Sequence, residues 1–416
     1  MRETSNGSGE SITSKTSRRR FLTSAGAAGA VALAGCSDNT SNGSNTVTVA
    51  SLNPMSGAYS SLGPAQRAGV ELAVKQINES DEYDYEINPV YDDTETESGA
   101  AQQAAQKVVQ EEQADFVFGA ISSSVALGIN EFAKQSEFVY FPGGAAVPIT
   151  GSKCNQWVFR FETNTAQIAE AISAYTVNEI GSNVWFHIAD YAYGDSVYAR
   201  TKERMQAANS GFTEVGKTES SLGSSNFGSY ISQISNSDAD AVILGMTGGD
   251  LVNFVNQAAD RGLTDDTALV GPTMGFKAVR KGTGASSVGT YGGIRYDPSV
   301  DLGDNQQFVE AFKEENDGVP GNFERVGYES IRLMVRGMEK AGSTDPADVR
   351  DALEGGTFTT VLGDITLRES DHQATNPTWM AELTQGDGNM ADVNLLNKVD
   401  GADTLPPASD LGCNMN

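Results

Sequence analysis

The chain has 416 residues, 39% of them hydrophobic and 20% charged, which at roughly 100 to 200 residues per domain allows two or three packed units and excludes a stapled miniprotein or a disordered tail. Its 28 basic against 55 acidic side chains give a net charge of −27, the wrong sign for condensing onto nucleic-acid phosphates or adsorbing to anionic lipid. Residues 1–35 hold five basic and two acidic side chains, so the remainder stands at 23 against 53, or −30. Molar salt shortens the screening length to about 3 Å and makes such self-repulsion tolerable; the composition reads as salt-adapted, with an ordinary acidic surface as the alternative.

The run Ser17-Arg18-Arg19-Arg20-Phe21-Leu22 precedes a small-residue apolar stretch from Ala25 to Ala34, too short for a stable membrane span. Twin arginines with this continuation resemble the Tat export signal, and Leu33-Ala34-Gly35-Cys36 resembles a lipobox, which implies a lipid on Cys36 after the leader at 1–35 is removed. The alternative is a buried helix opening a cytoplasmic domain. Residues 36–45 are dominated by Ser, Asn, Thr and Gly; such a segment buries too little to offset its chain entropy and acts as a tether. With Cys36 lipidated, Cys154 and Cys413 remain, an even pair that in an exported chain favours a disulfide, two free thiols being the alternative.

Beyond the tether the hydrophobic period keeps switching. A strand over Thr46 to Leu52 precedes a helix over Pro64 to Asn78, a strand over Tyr85 to Tyr91 a helix over Ser98 to Glu111, and a buried strand Phe116 to Gly119 a helix over Val125 to Gln135. A strand over Phe138 to Phe141 ends at Pro142-Gly143-Gly144. A second series predicts helix Asn164 to Glu179, strand Asn183 to Ala189, helix Gly194 to Ala208, strand Phe212 to Thr218, helix Phe227 to Ser235 and strand Ala241 to Gly245. Helix Leu251 to Arg261 and strands Ala268 to Gly271 and Tyr291 to Tyr296 complete it. Helices over Asn305 to Glu315, Phe323 to Ala341 and Pro346 to Glu354 lead to a β-rich tail around Leu362 to Leu367, Trp379 to Leu383 and Val393 to Lys398. Strand and helix in rotation predict an α/β fold with two doubly wound, Rossmann-like lobes. Ligands in such sheets lodge beyond the carboxyl ends of the strands, which directs attention to the loops after Leu52, Gly119, Phe141, Ala189, Gly245 and Gly271.

Catalytic constellations are sparse. The two histidines, His187 in a predicted strand and His372 in a polar loop, stand far apart and read as core or surface residues rather than a triad or metal site. Neither a G-x-S-x-G elbow nor enough cysteines for zinc occur. Gly211 to Thr218 fits the P-loop pattern G-x-x-x-x-G-K-[ST], but a helix precedes it, Gly211 reads as that helix's C′ glycine, and Phe212 to Val215 reads as strand. Asp92-Asp93 and Asp265-Asp266 have no EF-hand spacing and read as solvated surface. No catalytic residue, metal or cofactor is expected.

The motifs that remain are Gly57-x5-Gly63-x5-Gly69-x2-Leu72-Ala73-x3-Ile77-Asn78, Tyr91-Asp92-Asp93, Gly119-x2-Ser122-Ser123-Ser124, and Tyr193-Gly194 after a strand. In this order they resemble the branched-chain amino acid (leucine/isoleucine/valine) type of periplasmic binding protein, the receptor of an ABC importer. That resemblance implies two lobes joined by three crossing strands, the first at 46–163 and 299–366 and the second at 164–298 and 367–416, closing on a small solute and docking on permease subunits. It implies solute contacts at Ser122 and Ser123, where a helix N-terminus favours an oxygen-bearing or anionic group, with a plain N-cap as the alternative at Ser122. It implies that backbone at Gly143, Gly144 and Ala145 approaches the solute, with a simple turn as the alternative, that Tyr193 closes from the second lobe, with a core tyrosine as the alternative, and that Thr247 and Thr273, which follow strands there, add contacts. Amino-acid-binding members tend to have a threonine where this chain has Ala145 and an acid where it has Thr273, so small amides, urea-like compounds or carboxylates are alternatives to an amino acid. An exported hydrolase or a cell-surface structural protein is the competing class.

Overall fold

The computed structural model describes residues 45–83, 85–386 and 388–415. The twin arginines, Cys36 and the tether up to residue 44 lie outside the described residues. A first series runs β1 (Asn45–Asn53), α1 (Gly63–Glu79), β2 (Tyr85–Asp93), α2 (Ser98–Gln110), β3 (Phe116–Gly119), α3 (Ser123–Ser136) and β4 (Val139–Pro142). The strands pair in parallel in the order β2-β1-β3-β4. All four residues of β3 and of β4 are buried, as expected of strands covered by helices on both faces.

The second series is α4 (Thr165–Tyr175), β5 (Asn183–Ala189), α5 (Ala192–Ala208), β6 (Thr213–Ser220), α6 (Gly228–Ser235), β7 (Ala241–Gly245), α7 (Gly248–Asp260), β8 (Ala268–Gly271), α8 (Lys277–Thr283) and β9 (Tyr291–Ile294). The chain then returns through α9 (Asn305–Glu315), α10 (Asn322–Ala341), α11 (Pro346–Leu353), β10 (Thr357–Thr360) and β11 (Gly363–Thr366), and ends with β12 (Thr378–Thr384) and β13 (Asp392–Val399). The second sheet has the order β13-β12-β9-β8-β7-β5-β6. Helix α10 packs on α1 and α11 in the first lobe, and α4 on β9 and β12 in the second. The chain therefore passes between lobes in the intervals 143–164, 295–304 and 367–377. Two passages run side by side: Arg160 and Gln373 form a parallel bridge, with Arg160 N–H donating to His372 O at 3.0 Å and Ala374 N–H to Arg160 O at 2.9 Å. Cys154 and Cys413 are joined by a disulfide with Cα atoms 5.6 Å apart, fastening the carboxyl-terminal tail beside the first passage.

The β-rich tail pairs antiparallel, β12 with both β9 and β13. Several expectations need correction. The helix expected through Glu179 stays α-helical only to Tyr175 and ends in one wide turn over Thr176–Ile180, where Thr176 Oγ1 donates to Ile172 O at 2.8 Å and competes with the helical ladder. Helix α8 and strand β10 were not anticipated, because two basic turns and four threonine-rich residues carry almost no period. Gly211 is not a left-handed C′ residue; it lacks a positive φ, and Asn209 leaves the helix extended and accepts the Gly211 N–H on Oδ1 at 2.8 Å. Of the two readings left open for His372, core or surface, the structure has the first: it is wholly buried, its ring stacked on Phe159 with centroids 4.0 Å apart.

Candidate functional site

The two lobes meet along the ends of the strands that the topology singles out. Tyr59 and Leu62, from the loop after β1, are buried in one apolar cluster with Met246, Leu251 and Phe276 of the second lobe. The Tyr59 and Tyr191 hydroxyls are hydrogen-bonded across the junction. Gly248 has φ +60, and an added Cβ would stand 3.5 Å from both Leu62 and Tyr59, so the α7 entry turn needs a residue at home in the left-handed region.

Helix α3 starts in this junction. Ser122 occupies its N-cap position yet makes no side-chain cap bond, so its hydroxyl is not spent on the helix. Ser123 is: its Oγ accepts the Ala146 N–H at 3.1 Å and pins the loop after β4. Ser124 Oγ accepts from Ala192 N–H at 3.4 Å, which sets the N-terminus of α3 beside that of α5, one from each lobe. A second bond, Val147 N–H to Ser196 Oγ at 2.9 Å, reinforces the contact. Two helix N-termini converging in one place make a site of positive potential.

The loop carrying Gly143, Gly144 and Ala145 is held from below by Arg160, which is fully buried. Its Nη1 donates to Ala146 O at 2.6 Å and Gly144 O at 3.2 Å, Nε to Gln373 Oε1 at 2.6 Å and Nη2 to Thr150 Oγ1 at 2.6 Å. Burial is the largest influence on this guanidinium and draws its pKa down to about 9 against the pull of Asp371 and Glu162. At Gly143 a Cβ would lie 2.4 Å from Gln66 Nε2. Gln66 is wholly buried, accepts from Asn53 Nδ2 at 3.0 Å, and has no acceptor for Nε2. The glycine thus serves close packing of a buried amide as well as openness of the loop.

From the second lobe, Tyr193 stands in the first turn of α5, 4% exposed and clustered with Ala145. Its hydroxyl is 3.4 Å from Arg295 Nη2 and interacts with Thr273. Burial, the largest influence, raises its pKa. Thr273 Oγ1 donates to Met246 O at 2.9 Å. Thr247 precedes α7 and is buried with an Oγ1 that has no partner.

The sequence reading passed over the charged residues here. Glu162 and Arg295 lie in passages between the lobes and Arg325 in the first turn of α10, each at most 3% exposed. Glu162 Oε1 stands 3.3 Å from Arg295 Nη1 and 3.9 Å from Arg325 Nη2, and Oε2 accepts from Asn322 Nδ2 at 2.9 Å. Asp250, in the first turn of α7, is 3% exposed, accepts the Gly223 N–H at 2.9 Å and faces Tyr59 and Tyr191; burial pushes its carboxyl up to about 6. The signal available was local: Arg160-Phe161-Glu162 alternates charge with a core aromatic, and Arg295 interrupts an apolar strand end. Among the described residues no group of three or more His, Cys, Asp or Glu could hold a metal ion, and no helix is long and apolar enough to cross a membrane.

Comparison with known proteins places this architecture. The leucine-, isoleucine-, valine-, threonine- and alanine-binding protein of Pseudomonas aeruginosa is 25% identical over 348 residues, 82% of this chain and 90% of its own length. An amino acid ABC transporter substrate-binding protein from Pseudomonas fluorescens superposes with a TM-score of 0.79 at 23% identity, covering 89% of this chain and 99% of its own. A solute-binding protein of an R. palustris ABC transporter, solved with benzoate, gives a TM-score of 0.78 at 23% identity over 89% and 100% of the two chains. The model of a family described as periplasmic binding protein matches residues 46–389, and with its two α/β lobes the chain belongs to that family.

Proposed function

We propose that the protein is the extracytoplasmic solute receptor of an ABC importer, binding one small polar solute between its lobes and presenting the closed form to permease subunits. The observation that carries the reading is the meeting of the α3 and α5 N-termini across the junction, with the Ser122 hydroxyl uncommitted to helix capping. Such an arrangement receives an oxygen-bearing group from a solute and is satisfied in full only when both lobes are in place. The relatives bind amino acids in one case and an aromatic carboxylate in another, which supports a small carboxylate or amide as the solute class. Ser122, Gly143, Gly144, Ala145, Tyr193, Thr247 and Thr273 are its lining, with Ser123 holding the loop. Lobe 1 comprises 46–163 and 299–366, and lobe 2 comprises 164–298 and 367–416.

We extend the proposal to the chain's address. Residues 1–35 act as a Tat lipoprotein leader, Cys36 carries the lipid, and 36–45 tether the receptor to the outer face of the membrane in a salt-rich environment. Cys36→Ser should release folded protein into the medium, and retention at the membrane would contradict the anchor. Thermal unfolding against a library of amino acids, amides and carboxylates tests the receptor reading: a binding solute raises Tm in proportion to RT ln(1 + [L]/Kd) and is recovered unchanged. Conversion of the stabilising compound to a product would make the protein a hydrolase instead.

A further inference from the structure

Three buried arginines, Arg160, Arg295 and Arg325, gather around the buried Glu162 where the chain passes between the lobes. Glu162 is the one carboxylate shared by Arg160, Arg295 and Arg325, all of which feel its charge, and each of the four side chains is nearly or wholly excluded from solvent. The neighbouring acids are shared: Asp371 pairs with Arg368 and also acts on Arg160, and Glu329 pairs with Arg332 at 3.3 Å and also acts on Arg325, while neither is paired with Arg295. Arg160 spends its guanidinium on protein acceptors. Arg325 donates to Asn322 Oδ1 at 3.0 Å and lies over the Phe161 ring at 4.8 Å, and its Nε and Nη1 have no acceptor.

Arg295 differs in facing the candidate site. Its Nη2 reaches the Tyr193 hydroxyl, its guanidinium lies 5.2 Å from the Phe276 ring centre, and its Nε has no acceptor. A buried guanidinium with an idle N–H, beside two helix N-termini, is matched by a ligand that brings a negative charge. Asp250, the buried acid at the start of α7, faces Tyr59 and Tyr191, and Tyr193 does not feel its charge as a leading influence. Resting on the receptor reading above, we propose that the solute is a small organic carboxylate whose charge is held by Arg295 together with Tyr193, rather than a neutral amide or a zwitterion neutral overall. Tyr193, Tyr191 and Phe276 give the body of that solute an aromatic wall.

The test pairs each acid with its uncharged isostere. Titration calorimetry with benzoate against benzamide and isobutyrate against isobutyramide, with leucine and urea as further probes, should show at least one acid binding ten-fold or more tightly than its amide. Arg295→Gln should collapse that ratio towards one, and Arg295→Lys, which keeps the charge, should retain most of it. A merely structural arginine would lower Tm without changing the acid-to-amide ratio. An amide that equals or beats its acid, an acid affinity unchanged in Arg295→Gln, or binding of leucine or urea with no response to either acid would each overturn the carboxylate assignment while leaving a receptor in place. Absence of binding and of thermal stabilisation across the whole panel and the wider library would overturn both.

Discussion

Glu162 Oε1 lies 3.3 Å from Arg295 Nη1, and the two side chains come from different passages between the lobes. The pair ties the first passage to the second and supplies the carboxylate that Arg325, on α10, also uses. Replacing it by Glu162→Gln leaves shape almost unchanged but deprives buried guanidiniums of their shared counter-charge. Removal of one partner of a buried pair costs about 3 to 5 kcal/mol. Chemical denaturation should show that loss for Glu162→Gln; a variant within about 0.5 kcal/mol of the parent, the ordinary range for an exposed substitution, would mean that solvent reaches the cluster.

Two buried titrating groups give stability opposite slopes against pH. Burial raises the Asp250 carboxyl from 3.8 to about 6, so between those values the folded chain holds a proton that the unfolded chain has lost. Asp250 therefore makes stability fall as pH rises through that interval, and its cost is complete above about 6. Asp250→Asn should be more stable than the parent by on the order of 2 kcal/mol at pH 8 and nearly equal to it below pH 4.

His187 acts in the other direction. Enclosed by Phe227, Tyr230 and Phe254, with Nδ1 2.8 Å from Thr218 Oγ1, it is pulled by burial from 6.5 to about 4. The unfolded chain takes up a proton below 6.5 that the folded chain refuses, so this term of stability is present above 6.5 and lost as pH falls towards 4. Tm measured from pH 4 to 8 for the parent, Asp250→Asn and His187→Phe should separate the two limbs; parallel curves for all three would contradict both assignments.

The Cys154–Cys413 bond closes a separation of 259 residues. In the chain-entropy model a loop of that size restrains the unfolded state by about 5 kcal/mol. The double variant Cys154→Ser, Cys413→Ser should unfold at correspondingly lower denaturant, with its cleft and solute affinity retained because neither cysteine touches the site. Two reactive thiols in the unreduced, denatured protein would contradict the bond.

Much of the scaffold was legible because burial and period agreed. Phe116 to Gly119, Asn183 to Ala189, Ala241 to Gly245 and Ala268 to Gly271 are apolar or nearly so and end at strand-closing residues, and each occupies the span expected of it. The contacts at Ser122 were half legible: its place before a helix is local information, whereas the absence of a cap bond is not. Glu162, Arg295 and Arg325 escaped because an isolated charge in an acidic chain reads as solvent-facing, and Glu162 meets its partners Arg295 and Arg325 only across 133 and 163 positions of sequence. Tyr191 escaped for a similar reason, since its partner Tyr59 sits 132 positions away in the other lobe.

A receptor of this kind works by closing its lobes on a solute. Small-angle scattering of the tether-free receptor, with and without whichever library compound raises Tm most, measures it directly. The radius of gyration should be smaller with the compound, and that compaction should be lost at the same concentration for Ser122→Ala, whose affinity should fall by about 1 to 3 kcal/mol. A stabilising compound that leaves the radius of gyration unchanged in the parent would contradict a receptor that works by closure.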